Sequence, residues 1–255
     1  MKRLVSFLLL LSLVVLSLAS CSEGRELEKS ANALLEAEPY KVKVTTGYFS
    51  YDTTVNSQLK NSGGSCYITI DGDNFFVERP VPGTTQTLYY TYINGVLYAN
   101  ESVMGSYKYE VPQNEYKDIY DGYVSYNMAN EDFKLSNYKK EEVTINSEGY
   151  TVISASGVKS SLAKNVEKTL ASSVGSGTVL VDSDECKLVI TLDGLGRYKS
   201  VVASYYTVVS FSATSQTVVT MTISYEYTYG SEVKVELPAD YELYPDVNDE
   251  SYEWY

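Results

Sequence analysis

The chain has 255 residues and is acidic, with 33 Asp and Glu residues against 20 Lys and Arg, which gives a formal net charge of −13. This charge excludes a nucleic-acid partner, because phosphate binding needs clustered Lys and Arg, and it opposes docking flat on an anionic membrane. Histidine, the most frequent general base and metal ligand, is absent. We therefore expect no catalytic residue, no metal and no cofactor.

The first 21 residues have the three parts of a secretory leader. Met1-Lys2-Arg3 is basic, Leu4 to Leu18 is apolar, and Ala19 and Ser20 are small residues before a cysteine. The segment Leu18-Ala19-Ser20-Cys21 resembles the bacterial lipobox. This resemblance implies that a diacylglycerol is joined to the Cys21 sulfur and that the chain is cleaved before it. An ordinary signal peptide with a chance cysteine is the alternative.

On this interpretation residues 1–20 are a signal peptide, residues 21–26 a lipidated tether, and residues 27–255 a single β-rich domain with an acidic C-terminal tail. Loss of Lys2 and Arg3 with the leader makes the net charge −15. Two acyl chains are enough for stable anchoring. We therefore expect the mature protein on the extracytoplasmic face of the cell envelope, in contact with the membrane through its lipid.

The first half of the domain is predicted to be one helix followed by an antiparallel meander. Leu27, Ala31, Leu34 and Leu35 form one helical stripe that Pro39 ends. An alternating strand is predicted over residues 41–51, a loop over 58–64, and hairpins at Asp71-Gly72 and Asn94-Gly95. Asp71-Gly72-Asp73-Asn74 lacks the remaining ligands of a calcium loop, so a turn is the better interpretation.

The second half is predicted to contain two helical stretches and the longest strands. Residues 112–140 indicate a short, weak helix with irregular turns, and a hairpin follows at Glu148-Gly149. The stripe Leu162, Val166 and Leu170 predicts a helix that Gly175-Ser176-Gly177 ends. Long strands are predicted over 197–211 and 216–229, then a short strand over 233–237 and a loose tail from residue 238.

The last long strand alternates strictly between apolar and polar residues, which is typical of a sheet with one buried face. This favours an α+β fold, a strongly curved antiparallel β-sheet (half-barrel) with a few helices on its concave side. The order of elements resembles the LolA/LolB and LppX-type half-barrel lipoproteins. Members of that group typically hold lipids or other apolar molecules between sheet and helices. No functional residue is carried over from this resemblance.

Two functions compete on these observations. The first is a carrier lipoprotein that binds an apolar, lipid-like molecule between the sheet and the helix around Leu162. Its predicted lining is apolar and comes from the last strand and that helix: Val219, Met221, Ile223, Tyr225, Leu162 and Val166. The alternative is a cell-surface interaction or sensor module with a fully packed core, which contacts a protein or glycan through an exposed Thr/Tyr face or the acidic tail.

Two further features leave alternatives open. Cys66 and Cys186 both lie on inward faces of predicted strands, so they either form a disulfide outside the cytoplasm or remain buried free thiols. The chain has 26 tyrosines but one tryptophan and six phenylalanines. These tyrosines indicate either a ligand groove, a surface that stacks on sugars, or simple strand propensity on half-exposed faces.

Overall fold

The computed structural model describes residues 23–52, 57–81, 83–101, 105–125, 133–174, 177–211 and 216–247. The predicted signal peptide and Cys21 lie outside these residues. The described chain forms three α-helices: α1 (Glu23–Ala37), α2 (Tyr116–Tyr120), which continues as a π-helical turn (Asp121–Ser125), and α3 (Ser160–Val174). Its strands are β1 (Tyr40–Asp52), β2 (Ser57–Asp71), β3 (Asn74–Pro80), β4 (Thr87–Ile93), β5 (Val96–Glu101), β6 (Gly105–Glu110), β7 (Tyr138–Ile145), β8 (Thr151–Val158), β9 (Thr178–Val181), β10 (Lys187–Leu192), β11 (Tyr198–Ser210) and β12 (Gln216–Tyr229).

These strands form a single antiparallel sheet in the order β6-β5-β4-β3-β2-β1-β12-β11-β10-β8-β7, and β9 pairs with the far end of β11. The first and last strands pair at its centre, from Tyr40 opposite Tyr229 to Asp52 opposite Thr217. The end strands β6 and β7 do not pair with each other, so the sheet is open. The predicted fold class, an α+β fold with a curved antiparallel sheet, is confirmed.

The core lies on the inward face of this sheet. Along β11, Val201, Ala203, Tyr205 and Val209 are buried while their neighbours are half-exposed. On β12, Tyr225 is buried on the same face, opposite Val201. The alternation predicted for the first long strand is therefore present in β11, although Phe211, directly after this strand, is exposed. In β12, by contrast, residues 217–224 are all half-buried.

Two predicted elements were wrong, and one strand was missed. Residues 58–64 belong to β2, because their backbone pairs with the second half of β1 after a shift in register between Thr45 and Gly47. Strand β6 was not predicted, and it completes the meander by pairing with β5. Residues 233–237 form no strand with any described partner, although Val233 and Val235 are buried.

The start of the C-terminal tail is docked rather than loose. The Lys108 N–H donates to the Pro245 carbonyl at 2.9 Å, and the Val247 N–H donates to the Lys108 carbonyl at 3.0 Å, so the tail lies along the edge of β6. The rings of Tyr241 and Tyr244 contact Tyr98 edge-on, with centroids 6.0 and 6.1 Å away. Residues 248–255 lie outside the described chain.

Helix α1 begins at Glu23, so the predicted tether over 21–26 is too long. Gly24 is buried in its first turn, where an added Cβ would lie 3.1 Å from Cγ2 of Ile153 and 3.4 Å from the carboxyl of Glu141. A larger residue here would require the Ile153 side chain to shift by a few tenths of an ångström. None of the described helices is both long and apolar enough to cross a bilayer.

Polar contacts hold α1 over the sheet along its length. Near its start, Arg25 lies 3.7 Å from Glu141, and Glu28 Oε1 accepts the Leu135 N–H at 3.0 Å. In its middle, the Tyr198 hydroxyl donates to Asn32 Oδ1 at 2.9 Å. These contacts connect the helix to β7, β11 and the turn before β7.

Two carboxyl groups at the contact of α1 with the sheet, Glu28 on α1 and Glu141 on β7, predict how stability depends on pH. Burial raises the pKa of Glu28, against the opposing hydrogen bond from Leu135, and burial raises the pKa of Glu141, against the charge of Arg25. The folded state therefore binds protons at these carboxyl groups more tightly than the unfolded chain does. The free energy of unfolding then falls as the pH rises from the unfolded pKa of 4.5 through the raised pKa values of the folded state. Glu141→Gln should flatten that fall in urea-unfolding free energy.

The matched control is Glu185→Gln, which removes the same charge from an exposed turn between β9 and β10. Its pH profile should run parallel to that of the wild type. A Glu141→Gln profile that is also parallel, from denaturation measured between about pH 4 and pH 7, would contradict the assignment.

The turn between β4 and β5 generates a second prediction. Asn94 and Gly95 have φ angles of 52° and 86°, the pair expected of a type I′ hairpin. An added Cβ at Gly95 would meet nothing within 4 Å, so Gly95→Ala tests backbone strain alone. We expect it to lower the free energy of unfolding by about 1–2 kcal/mol.

Gly122 provides the control for that measurement. An added Cβ there also meets nothing within 4 Å, but its backbone is not left-handed. Gly122→Ala should leave the urea midpoint unchanged or raise it slightly, because alanine favours helical backbone. If both variants lost the same free energy of unfolding, backbone strain at the hairpin would not be the cause of the loss in Gly95→Ala.

Candidate functional site

A cavity of about 640 Å³ lies between the inward face of the sheet and the segments that cover it. One wall is α1 with the two residues after it, and a second is α2 with its π-helical turn. The floor comes from the central strands and from β10. The lining residues are Glu28, Asn32, Leu35, Glu36, Ala37, Glu38, Pro39, Tyr40, Ile70, Gly72, Tyr116, Tyr120, Val124, Ser125, Phe133, Lys134, Ile190, Tyr198, Val201, Tyr225 and Tyr227.

The floor of the cavity is aromatic. The Tyr198 and Tyr227 rings stack with centroids 5.6 Å apart at an angle of 29°, and the Tyr40 ring lies 6.0 Å from that of Tyr227. Tyr225 meets Phe133 edge-on at 4.9 Å. These side chains come together because β1, β12 and β11 are neighbours in the sheet, so pairing places their inward residues side by side.

The second wall is also fixed by aromatic contacts. The Tyr116 ring lies 5.0 Å from Tyr92, and its hydroxyl donates to the Asp73 carbonyl at 3.0 Å. The Tyr120 ring meets Phe75 edge-on at 5.9 Å. A helix of only five residues is too short to be stable alone, so these rings hold it against the sheet.

The phenols of the cavity stay neutral. Burial raises the pKa of Tyr40, Tyr198 and Tyr227 well above the usual value. Burial likewise raises the pKa of Tyr116 to about 12. At neutral pH these groups therefore supply aromatic faces and hydroxyl groups but no negative charge.

The charged residues of the cavity lining are three glutamates on or just after α1, Glu28, Glu36 and Glu38, together with Lys134. Glu38 also accepts a hydrogen bond from Arg197 Nη1 at 3.2 Å. Arg197 binds Asp193 as well, with Nη2 2.8 Å from Oδ2, and it lies 4.5 Å from the centre of the Tyr229 ring. Burial acts to raise the pKa of Asp193, but hydrogen bonds from Arg197 and Leu195 outweigh it and lower the pKa.

The cavity has the dimensions of a small-molecule pocket. Ligand pockets typically have volumes of roughly 300–1,000 Å³, mostly apolar walls and a few polar groups, and the cavity fits this description. Within the residues that the structure describes, no cluster of three or more His, Cys, Asp and Glu side chains is placed to hold a metal ion.

The predicted lining residues are only partly brought together here. Tyr225 lines the cavity. Val219, Met221 and Ile223 are half-buried on the same face of β12, further along the strand. Leu162 and Val166 are buried core residues of α3, which packs against β9 instead. The helix that covers this cavity is therefore α1, and the prediction of the helix around Leu162 is wrong for it.

The cysteines lie apart from the cavity lining. Cys66 on β2 and Cys186 before β10 are both buried and free. Burial raises the pKa of Cys66 to about 11, and it also raises the pKa of Cys186. Of the two interpretations open from the sequence, the structure holds them as buried thiols and not as a disulfide.

Sequence reasoning missed most of the lining. The stripe of Leu27, Ala31, Leu34 and Leu35 predicted the helix but not what lies under it. Tyr40 and Tyr198 lie at strand starts, where the alternation of inward and outward residues only begins. Their one signal was the large number of tyrosines, and that number does not locate a site.

No protein-family model matches the chain, and no curated protein matches it significantly. Among solved structures it is similar to the ywiB protein of Bacillus subtilis, with 8% sequence identity and a TM-score of 0.19 over 76% of this chain and 93% of that one. It is also similar to a LolA superfamily protein of Nitrosomonas europaea, with 11% identity and a TM-score of 0.24 over 82% and 94%. At these TM-scores neither likeness carries an argument about function.

Proposed function

We propose that the protein is a membrane-anchored extracytoplasmic lipoprotein that binds or carries an apolar, lipid-like ligand between its sheet and its helices. The observation that supports the ligand is the cavity of about 640 Å³. A fully packed core, on which the alternative of an interaction module depends, does not accommodate an opening of this size. No reaction is assigned to the site.

The composition of the walls determines the kind of ligand. Leu35, Ile70, Val124, Ile190 and Val201 supply aliphatic surface, and the tyrosines supply aromatic surface. Each methylene that a ligand buries there contributes roughly 0.8 kcal/mol. An alkyl chain of about ten carbons would therefore offset much of the cost of association.

Charged groups line only part of the cavity. The glutamates, Asn32 and Lys134 belong to α1 and to the segment before β7. A ligand with an apolar body and one polar end matches this distribution, because its polar end remains near water while its body displaces water from the floor.

The lipid anchor is the second part of the proposal. It depends on Cys21 and the leader before it, and the folded chain is compatible with it because α1 begins at Glu23, within two residues of the anchor. The cavity helix would then lie close to the membrane surface. A carrier that exchanges an amphiphile with a bilayer needs this proximity.

The anchor predicts the mass of the mature protein. Protein purified from its native host should begin at Cys21 and carry a diacylglycerol on the sulfur, as measured by intact mass and by fragmentation of the N-terminal peptide. Cys21→Ser should abolish the modification and move the protein from the membrane to the soluble fraction. A mature chain that retains residues 1–20 would contradict the anchor.

The cavity predicts ligand uptake by a form that begins at residue 21 and carries Cys21→Ser. Native mass spectrometry should detect a copurified lipid-like molecule, or one added from vesicles. Leu35→Trp should weaken uptake because Leu35 lines the cavity and the larger indole would take up part of it. Binding of a fluorescent fatty-acid analogue should fall by at least about tenfold, equivalent to about 1.4 kcal/mol.

Leu34→Trp is the matched control, since Leu34 is half-buried on the same helix but does not line the cavity. It should bind the analogue as the wild type does. Thermal unfolding of both variants checks that each is folded. A wild-type protein that binds no amphiphile from extracts or vesicles would overturn the proposed ligand while leaving the anchor in place.

A further inference from the structure

The end of α1 has an unusual distribution of charge. The carbonyl groups at the C-terminus of a helix carry partial negative charge, which is normally matched by Lys, Arg or His in the last turn. Helix α1 has no basic residue in its last turn. It has Glu36 there instead, and Glu38 follows directly. This end of the helix, through Ala37, Glu38 and Pro39, lines the cavity.

A second acidic segment, the turn between β2 and β3, reaches the cavity through Gly72. This glycine lies between Asp71 and Asp73. The Tyr116 hydroxyl binds the carbonyl of that turn, which places the turn beside α2. Asp73 therefore lies close to Tyr116, a lining residue of the cavity.

Basic groups near the cavity compensate only part of this charge. Lys134 is the one basic residue that lines the cavity within the described chain, and its charge lowers the pKa of Glu28, which lies on the first half of α1. Arg197 is engaged with Asp193 and Glu38. Glu36 is exposed and no ion pair to it is found among the described residues.

The aromatic floor favours the same kind of charge. The faces of tyrosine rings are electron-rich and attract ammonium groups, most strongly where water is excluded. Tyr40, Tyr198 and Tyr227 form a contiguous cluster in the floor, next to the end of α1. The net charge of −13 over the whole chain also draws cations toward the protein and repels anions.

We propose that the cavity selects amphiphiles whose polar end is cationic, an alkyl ammonium or a similar organic cation, over neutral and anionic ones. This selectivity rests on the proposed binding of a lipid-like ligand and adds the charge of its head group. The cation lies between the end of α1 and the tyrosine rings of the floor, and the alkyl chain lies along the aliphatic lining residues of the cavity.

The test compares three ten-carbon ligands by calorimetric titration, each below the concentration at which it forms micelles: decyltrimethylammonium, decanol and decyl sulfate. The protein is the chain from residue 21 with Cys21→Ser. We expect the ammonium to bind at least about tenfold more tightly than decanol, and decyl sulfate to bind most weakly. Added salt should reduce the difference between the two charged ligands.

The double variant Glu36→Gln/Asp73→Asn should reduce the preference for the ammonium over decanol by about threefold or more, with decanol affinity unchanged. Glu185→Gln, in an exposed turn at the other end of β10, should leave all three affinities unchanged. Decanol or decyl sulfate binding as tightly as the ammonium would overturn the selectivity but not the proposed ligand site. Failure of all three ligands to bind would overturn both.

Discussion

The pairing of β1 with β12 is the constraint on which the rest of the structure depends. It joins the N-terminal meander to the C-terminal strands along the full length of β1, and without it the sheet would separate into two halves. Both strands have 13 or 14 residues, about 45 Å at 3.3 Å per residue. Strands of this length twist strongly, and a twisted sheet with one apolar face curves around whatever covers that face.

The same pairing places the floor of the cavity. Tyr40 begins β1 opposite Tyr229, and Val42 lies opposite Tyr227, so the start of one strand and the end of the other share the inward face. Because α1 and β1 are separated by only Glu38 and Pro39, the chain that leaves the helix must enter the sheet at this point. The helix is thereby held over the tyrosines at its C-terminal end, and Glu28 and Arg25 secure the other end.

The sequence predicted the fold where local patterns decide it. The alternation of buried and half-exposed residues in β11 and the Asn94-Gly95 turn each depend on residues next to one another, and both are present. Sequence patterns failed to predict the structure where pairing between distant segments determines it. Residues 58–64 are polar and rich in glycine, which is typical of a loop, yet the long partner strand β1 holds them in the sheet. The backbone pairing of β2 with β1 establishes this result.

The candidate site was harder to predict for the same reason. An apolar stripe such as Leu162, Val166 and Leu170 predicts that a helix covers a sheet, but it does not say which part of the sheet. In the structure, α3 packs beside β9, and α1 covers the cavity. Only two residues of α1, Gly24 and Ala31, are buried, although its stripe is as apolar as that of α3. The cavity accounts for the difference, since Leu35 faces an opening where a packed core would have side chains.

On the proposed function, ligand binding and the docking of α1 are linked. The helix is held by polar contacts near Arg25, Asn32 and Glu38, and such contacts contribute little each when they are partly exposed. Its apolar face is incompletely buried because of the cavity beneath it. A ligand that fills the cavity would supply the missing apolar contact to Leu35 and stabilise the folded state in proportion to its occupancy. The cavity that would hold the proposed ligand therefore also makes α1 the element whose docking depends most on that ligand.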